Sequence, residues 1–160
     1  MKSDQPTDDD GMRRVHLRPL LRIAVTVADP VEVTEGRRYV PLTGGTFVGR
    51  DGLRGTVLAG GSDWQRIRPD GSVEIEAHYA LRTDDGSGLE VDSVGVRRVS
   101  PAVAARLAAG DAVDPDEYYF RSFIRLTTAA PSLGHFDNLL GIATGQRDRD
   151  VVHIHVHEVV

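Results

Sequence analysis

Residues 63–83 read as a β-hairpin whose register is written in the chain itself. Asp63-Trp64-Gln65-Arg66-Ile67-Arg68 and the run from Ser72 to Thr83 flank Pro69-Asp70-Gly71. Proline presets φ for the first turn position, and glycine takes the left-handed one. A three-residue loop of type I turn plus bulge sets Arg68 opposite Ser72. Arg66 then faces Glu74, a favourable cross-strand charge pair, while Ile67 faces Val73 and Gln65 faces Ile75. Side chains alternate across a strand. One face therefore carries Trp64, Arg66, Arg68, Glu74, Glu76 and His78. The other carries Ile67, Val73, Ile75, Ala77, Tyr79 and Leu81, with Asp63 and Gln65 among them. This second face is the expected interior.

The rest of the chain repeats the strand-and-turn theme. Strands are expected at Leu21 to Ala28, closed by Asp29-Pro30, at Thr43 to Arg50, and at Arg54 to Gly60 after Asp51-Gly52. Asp84-Asp85-Gly86 turns into Gly88 to Val99, and further strands are expected at Tyr118 to Thr127, Gly141 to Gly145 and Val151 to Val160. Ser100 as cap, Pro101 at the first position and Gly110 as stop predict one short helix. His135 to Leu140 reads as a short helical or turn segment. The spacing suits a barrel or sandwich. The expected fold is mainly β: an antiparallel closed or nearly closed barrel of about eight strands with one short helix. The pairs Gly44-Gly45 and Gly60-Gly61 lack the Lys-Ser/Thr ending of a phosphate loop and are read as bends of barrel backbone.

A chain of 160 residues has the size of one domain. Residues 1–12 form an Asp-rich stretch without apolar character, expected to be a disordered acidic tail before a single domain over residues 13–160. The tail carries one Lys and four Asp, so the −5 net charge leaves about −2 on the body. No basic stripe is present to track a phosphate backbone, and no nucleic-acid partner is expected. No apolar run nears the ~20 residues of a membrane-spanning helix, and no membrane partner is expected. The chain has no Cys, which excludes disulfides, thiolate metal sites and a Cys nucleophile. It also fits a cytoplasmic location.

On the expected interior face, Asp63, Gln65 and Tyr79 cluster toward one end of the hairpin. A buried carboxylate is costly unless paired, so this grouping suggests a pocket mouth. Two plainer roles stand beside that one. Asp63 can cap a turn after Gly60-Gly61, and Tyr79 can fill the core. His153, His155 and His157 alternate on the last strand, about 7 Å apart in succession. Two such histidines can ligate a metal, but Val152, Ile154 and Val156 are the better interior set. The histidines are expected outside, with no metal bound. Arg121, amid aromatics, suits either a substrate anion or a cross-sheet acid.

Gly60-Gly61-Ser62-Asp63-Trp64-Gln65, then Arg68-Pro69-Asp70-Gly71, then Ala77-His78-Tyr79-Ala80-Leu81-Arg82-Thr83-Asp84-Asp85-Gly86, and last Tyr118-Tyr119-Phe120-Arg121 occur in that order. Together they resemble the domain-of-unknown-function 3237 family, from about Leu17 to the C-terminus. The resemblance implies a β-barrel and little about activity. Similar sequences tend to carry Arg where this chain has His78, and an aromatic where it has Gly134-His135-Phe136-Asp137-Asn138. If the family's Arg binds an anion, His78 makes that role weaker and pH-dependent.

The expectation for function is a small-molecule-binding barrel. As an enzyme it would isomerise, cyclise or hydrate an apolar or aromatic molecule without a cofactor. Asp63 would be the acid/base, Tyr79 a hydrogen-bond donor and Arg121 an electrostatic clamp. Trp64, Gln65, His78, Tyr119 and Asn138, in or beside the motifs, are expected to contact the ligand. The alternatives are a non-catalytic binding module and a homo-oligomeric interaction module.

Overall fold

The computed structural model describes residues 11–160, so the expectation for the acidic tail falls almost wholly outside the described residues. The strands are β1 (Leu17–Val27), β2 (Val31–Thr34), β3 (Arg37–Gly49), β4 (Arg54–Val57), β5 (Ser62–Ile67), β6 (Val73–Thr83), β7 (Gly88–Arg98), β8 (Tyr119–Thr127), β9 (Gly141–Asp148) and β10 (Val151–Val159). One α-helix, α1 (Pro101–Ala108), follows β7.

The sheet closes because β1 pairs on both sides. Ile23 lies opposite Ile154 of β10 on one side and opposite Phe47 of β3 on the other. Around the ring the order is β1, β10, β9, β8, β7, β6 and β3, all antiparallel, with β4 and β5 sharing the slot between β6 and β3. This is the expected closed barrel of eight strand positions, with β2 added on β3. Closure leaves no free edge in the ring itself.

The hairpin has the register its turn dictates. Arg66 pairs with Glu74, Gln65 with Ile75 and Ile67 with Val73. The Arg68 amide donates to the Ser72 carbonyl at 2.8 Å, and Gly71 holds φ +83°. At helix α1 the Ser100 hydroxyl accepts from the Val103 amide at 3.2 Å, and Pro101 stands first. The second glycine of each pair marks a close approach of neighbouring strands. A Cβ on Gly45 would lie 2.0 Å from the Ala24 carbonyl oxygen, and one on Gly61 2.5 Å from the Tyr79 Cβ.

One stretch differs from the expectation. Residues 31–42 carried no strand reading, yet they form β2 and the first half of β3. The inward face of Arg37-Arg38-Tyr39-Val40-Pro41-Leu42 begins with Arg38, which breaks the apolar alternation, and Pro41 demotes a strand. In addition β9 runs on to Asp148, and a 3-10 segment occupies Pro131–Asn138 where a short helix or turn was expected from His135.

The two ends of the barrel differ. At one end Leu21, Phe47, Leu81, Leu89, Ile124 and Leu126 are at most 3% exposed and fill the interior. Leu133 and Phe136 of the 3-10 segment are buried beside them. At the other end, where β3, β6, β8 and β10 begin and β1, β5, β7 and β9 finish, the inward residues become polar. Helix α1 stands over that end.

Candidate functional site

The interior positions at the α1 end follow from strand parity. On β5, Asp63 and Gln65 continue the inward set; on β6, Ile75, Ala77 and Tyr79; on β7, Ser93 and then Arg97. On β9, Ala143 and Gly145 lead to Arg147, and on β3, Arg38 precedes Val40. Of these, Val40, Asp63, Gln65, Ile75, Ala77, Tyr79, Ser93, Arg97 and Arg147 line a cavity of about 60 Å³ together with Val25, Val27, Leu42, Phe120, Val152 and Ile154. The cavity holds a few waters or the tip of a ligand, since one water needs about 10–15 Å³ by this measure. Gly145 makes room for the Phe120 ring, which would lie 2.5 Å from a Cβ at that position.

A wider vestibule of about 580 Å³ lies outside the cavity and shares Val27, Arg97 and Arg147 with it. Its remaining wall includes Arg38 and the α1 side chains of Ala104, Leu107 and Ala108. The two spaces meet at a neck of arginine.

A relay of hydrogen bonds runs from the neck inward. Arg38 Nε donates to Gln65 Oε1 at 2.8 Å, and Gln65 Nε2 donates to Asp63 Oδ2 at 2.7 Å. Asp63 Oδ1 is buried and has no hydrogen-bond partner. Burial raises the Asp63 carboxyl pKa from 3.8 to about 6; the Gln65 hydrogen bond, then the charges of Arg97 and Arg38, and last the nearby Glu76 backbone hold it from rising further. Tyr79 is 5% exposed. Burial first and the charge of Asp63 second push its phenol well above the ordinary tyrosine range, so it stays a donor.

The arginines are under-neutralised. None of Arg38, Arg97 and Arg147 has a carboxylate within 4.0 Å among the described residues, unlike Arg18, Arg50, Arg66, Arg68 and Arg106, each of which meets one. Burial, then the like charges of Arg38 and Arg147, lowers the Arg97 pKa, and its Nε is buried without a partner. Burial followed by the charge of Arg147 does the same to Arg38. Arg147 Nε donates to the Arg149 carbonyl at 2.8 Å. The Arg147 amide donates to the Tyr118 hydroxyl at 3.0 Å. Buried polar groups are nearly always satisfied. Three such atoms are orphaned among the described residues, Asp63 Oδ1, Arg97 Nε and Arg50 Nη1, and the first two belong to this one cavity.

Of the residues expected from the sequence, Asp63, Gln65 and Tyr79 line the cavity together. The others do not reach it. Phe120 takes the inward slot of β8, which turns Tyr119 and Arg121 outward; Arg121 sits 5.2 Å from the Tyr119 ring and donates to the Phe120 carbonyl. Arg121 therefore does not clamp anything in the cavity. Trp64 lies on the outer face beside Tyr39 and Arg37. His78 is exposed on the outer face, as the hairpin register requires, and meets Asp92, its β7 partner, at 2.6 Å. Asn138 closes the exposed end of the 3-10 segment, where its amide reaches back to Gly134. His153, His155 and His157 alternate with Val152, Ile154 and Val156 and face away from the interior, opposite Ala24, Arg22 and Pro19.

The sequence reading missed Ser93, Arg97, Arg147 and Arg38. The first three were legible: the inward parity of Leu89 and Val91 leads to Ser93 and Arg97, and that of Gly141 and Ala143 leads to Arg147. Arg38 lay in a stretch without a strand signal.

Known proteins place this architecture. A protein of the UPF0311 family from Rhodopseudomonas palustris is 39% identical over 124 residues, 78% of this chain and 80% of that protein. A UPF0311 protein from Clostridium acetobutylicum is 30% identical over 145 residues, 88% of this chain and 91% of its own. The crystal structure of a conserved protein of unknown function from Rhodopseudomonas palustris superposes with a TM-score of 0.87 at 33% identity, covering 93% of this chain and 99% of that one. A protein from Penicillium herquei described as an enzyme shares the fold at 18% identity with a TM-score of 0.67, covering 99% of each chain. The sequence profile of the proteins of unknown function DUF3237 matches residues 15–159, and the chain belongs to that family.

Proposed function

We propose that the barrel binds a small molecule at its α1 end and transfers a proton to or from it through Asp63. The observation that carries this reading is the orphaned Oδ1 of Asp63 on a mostly apolar cavity that opens toward the vestibule. An unsatisfied buried acceptor costs about 1–3 kcal/mol, and a ligand proton donor would offset that cost. A carboxyl titrating near 6 serves as base at neutral pH and as acid below it. Tyr79, held protonated, supplies a donor on the same wall. A carboxyl and a phenol suffice for isomerisation, cyclisation or hydration of an apolar or aromatic compound without a cofactor. The cavity of about 60 Å³ takes only the reacting tip, and the ligand body rests in the vestibule.

The test is solvent deuterium exchange into small aromatic ketones and phenols selected by thermal shift. Exchange at one ligand carbon is expected with the wild type and should vanish in Asp63→Asn. A ligand that stabilises the barrel yet is always recovered unexchanged and unaltered would make this a binding module instead.

Self-association is a second reading, favoured by an outward apolar row on β7 and β8. Val94 and Phe123 are 57% and 69% exposed and lie directly opposite one another. A strictly monomeric mass at high concentration contradicts it.

A further inference from the structure

We infer that the neck formed by Arg38, Arg97 and Arg147 is a receptor for the carboxylate of an organic acid whose apolar body lies beneath α1. The inference rests on the proposed pocket being the ligand site and adds the class of ligand.

Three arginines at inward positions of β3, β7 and β9 line the vestibule together, close enough for the charges of Arg38 and Arg147 to act on Arg97, and none has a carboxylate partner within 4.0 Å among the described residues. Burying unpaired cations side by side opposes folding unless an anion joins them. The carboxylate on hand, Asp63, is engaged by Gln65 through Oδ2 and forms no ion pair with any of the three. Arg97 Nε–H is a buried donor with nothing to donate to. The Nε–Nη edge of a guanidinium offers two parallel N–H groups, spaced for the two oxygens of a carboxylate. A planar carboxylate fits a neck that opens onto a cavity of about 60 Å³. Inorganic phosphate is bulkier, more strongly hydrated and carries nothing to cover the apolar wall of Val27, Val99, Ala104 and Leu107. An apolar body attached to the anion buries that wall as well.

Calorimetric titration of the full chain with 1-naphthoate, methyl 1-naphthoate and inorganic phosphate at pH 6.5 tests this. Naphthoate should bind, with the ester and phosphate at least about tenfold weaker, the scale of one or two charge-assisted hydrogen bonds. Arg97→Met and Arg147→Gln should each weaken naphthoate about tenfold or more and leave the ester unchanged. Thermal melts without ligand should show both variants folded; should Arg97→Met fail to fold, Arg147→Gln and Arg38→Gln carry the test. Asp63→Asn should bind naphthoate as tightly as the wild type or more tightly, whatever it does to proton exchange. That separates a failure of the acid/base reading from a failure of this one. No naphthoate binding up to millimolar concentration, an ester or phosphate that binds as well, arginine variants indistinguishable from wild type, or loss of naphthoate binding in Asp63→Asn would each overturn the carboxylate receptor.

Discussion

Asp63 and Gln65 stand two residues apart on β5, point into the same cavity, and are joined by a hydrogen bond of 2.7 Å from Gln65 Nε2 to Asp63 Oδ2. The bond fixes one carboxylate oxygen and leaves the other bare. Because Gln65 Oε1 accepts from Arg38, the amide cannot flip without losing both bonds. The hydrogen bond aims the carboxyl and favours its ionised form, while burial works against ionisation.

Asp63→Asn should stabilise the protein, but only at neutral pH. The Asp63 pKa is raised on folding, from 3.8 to about 6. The protonated form is therefore favoured by the fold. Its contribution is complete below pH 4 and is lost as pH rises through 6. Above that the ionised carboxylate costs at most about 3 kcal/mol, since each tenfold weakening of its acidity is worth about 1.4 kcal/mol. Urea unfolding should show Asp63→Asn more stable than wild type at pH 7.5 and equal to it at pH 4. A difference of the same size at both pH values would contradict the assignment.

Gln65→Leu should act on Asp63 rather than on packing alone. The substitution removes the hydrogen bond that most lowers the Asp63 pKa and strips Arg38 Nε of its acceptor. The Asp63 midpoint should move above 6, and the barrel should lose roughly 1–3 kcal/mol for the groups left unsatisfied. Carboxyl-carbon NMR of the variant reads the first effect and urea unfolding the second.

His78→Ala and Arg121→Ala should leave the pocket untouched. His78 is 63% exposed, and its contact with Asp92 lies in solvent. Exposed ion pairs contribute about 0–1 kcal/mol. Both variants should bind ligand as the wild type does, in the same titration used for the neck. A tenfold loss in either would place the working face on the outside of the sheet.

The parts of this fold that were legible were those where local rules agree. Pro69-Asp70-Gly71 fixes a turn, the turn fixes a register, and the register sends Asp63, Gln65 and Tyr79 inward together. The same parity sends His78 and Trp64 outward, which overrides what motif likeness alone suggested for them. Arg121 was misplaced for a simple reason: Phe120 claims the interior, and its neighbours on the strand must point away. Arg97 and Arg147 obeyed the pattern, but a charged residue at the end of an apolar face is easily taken for the end of the strand. Arg38 was hidden because a functional cation and Pro41 together erase the alternation by which a strand is recognised. The site thus occupies the positions where the sequence breaks its own core pattern.

The most direct measurement is the titration of the Asp63 carboxyl carbon by NMR from pH 3 to 8, assigned by its absence in Asp63→Asn. A midpoint near 6 is expected from burial of the carboxyl beside an open cavity. A midpoint at or below 4, the range of a solvated or well-paired aspartate, would contradict it and remove the basis for proton transfer at this site.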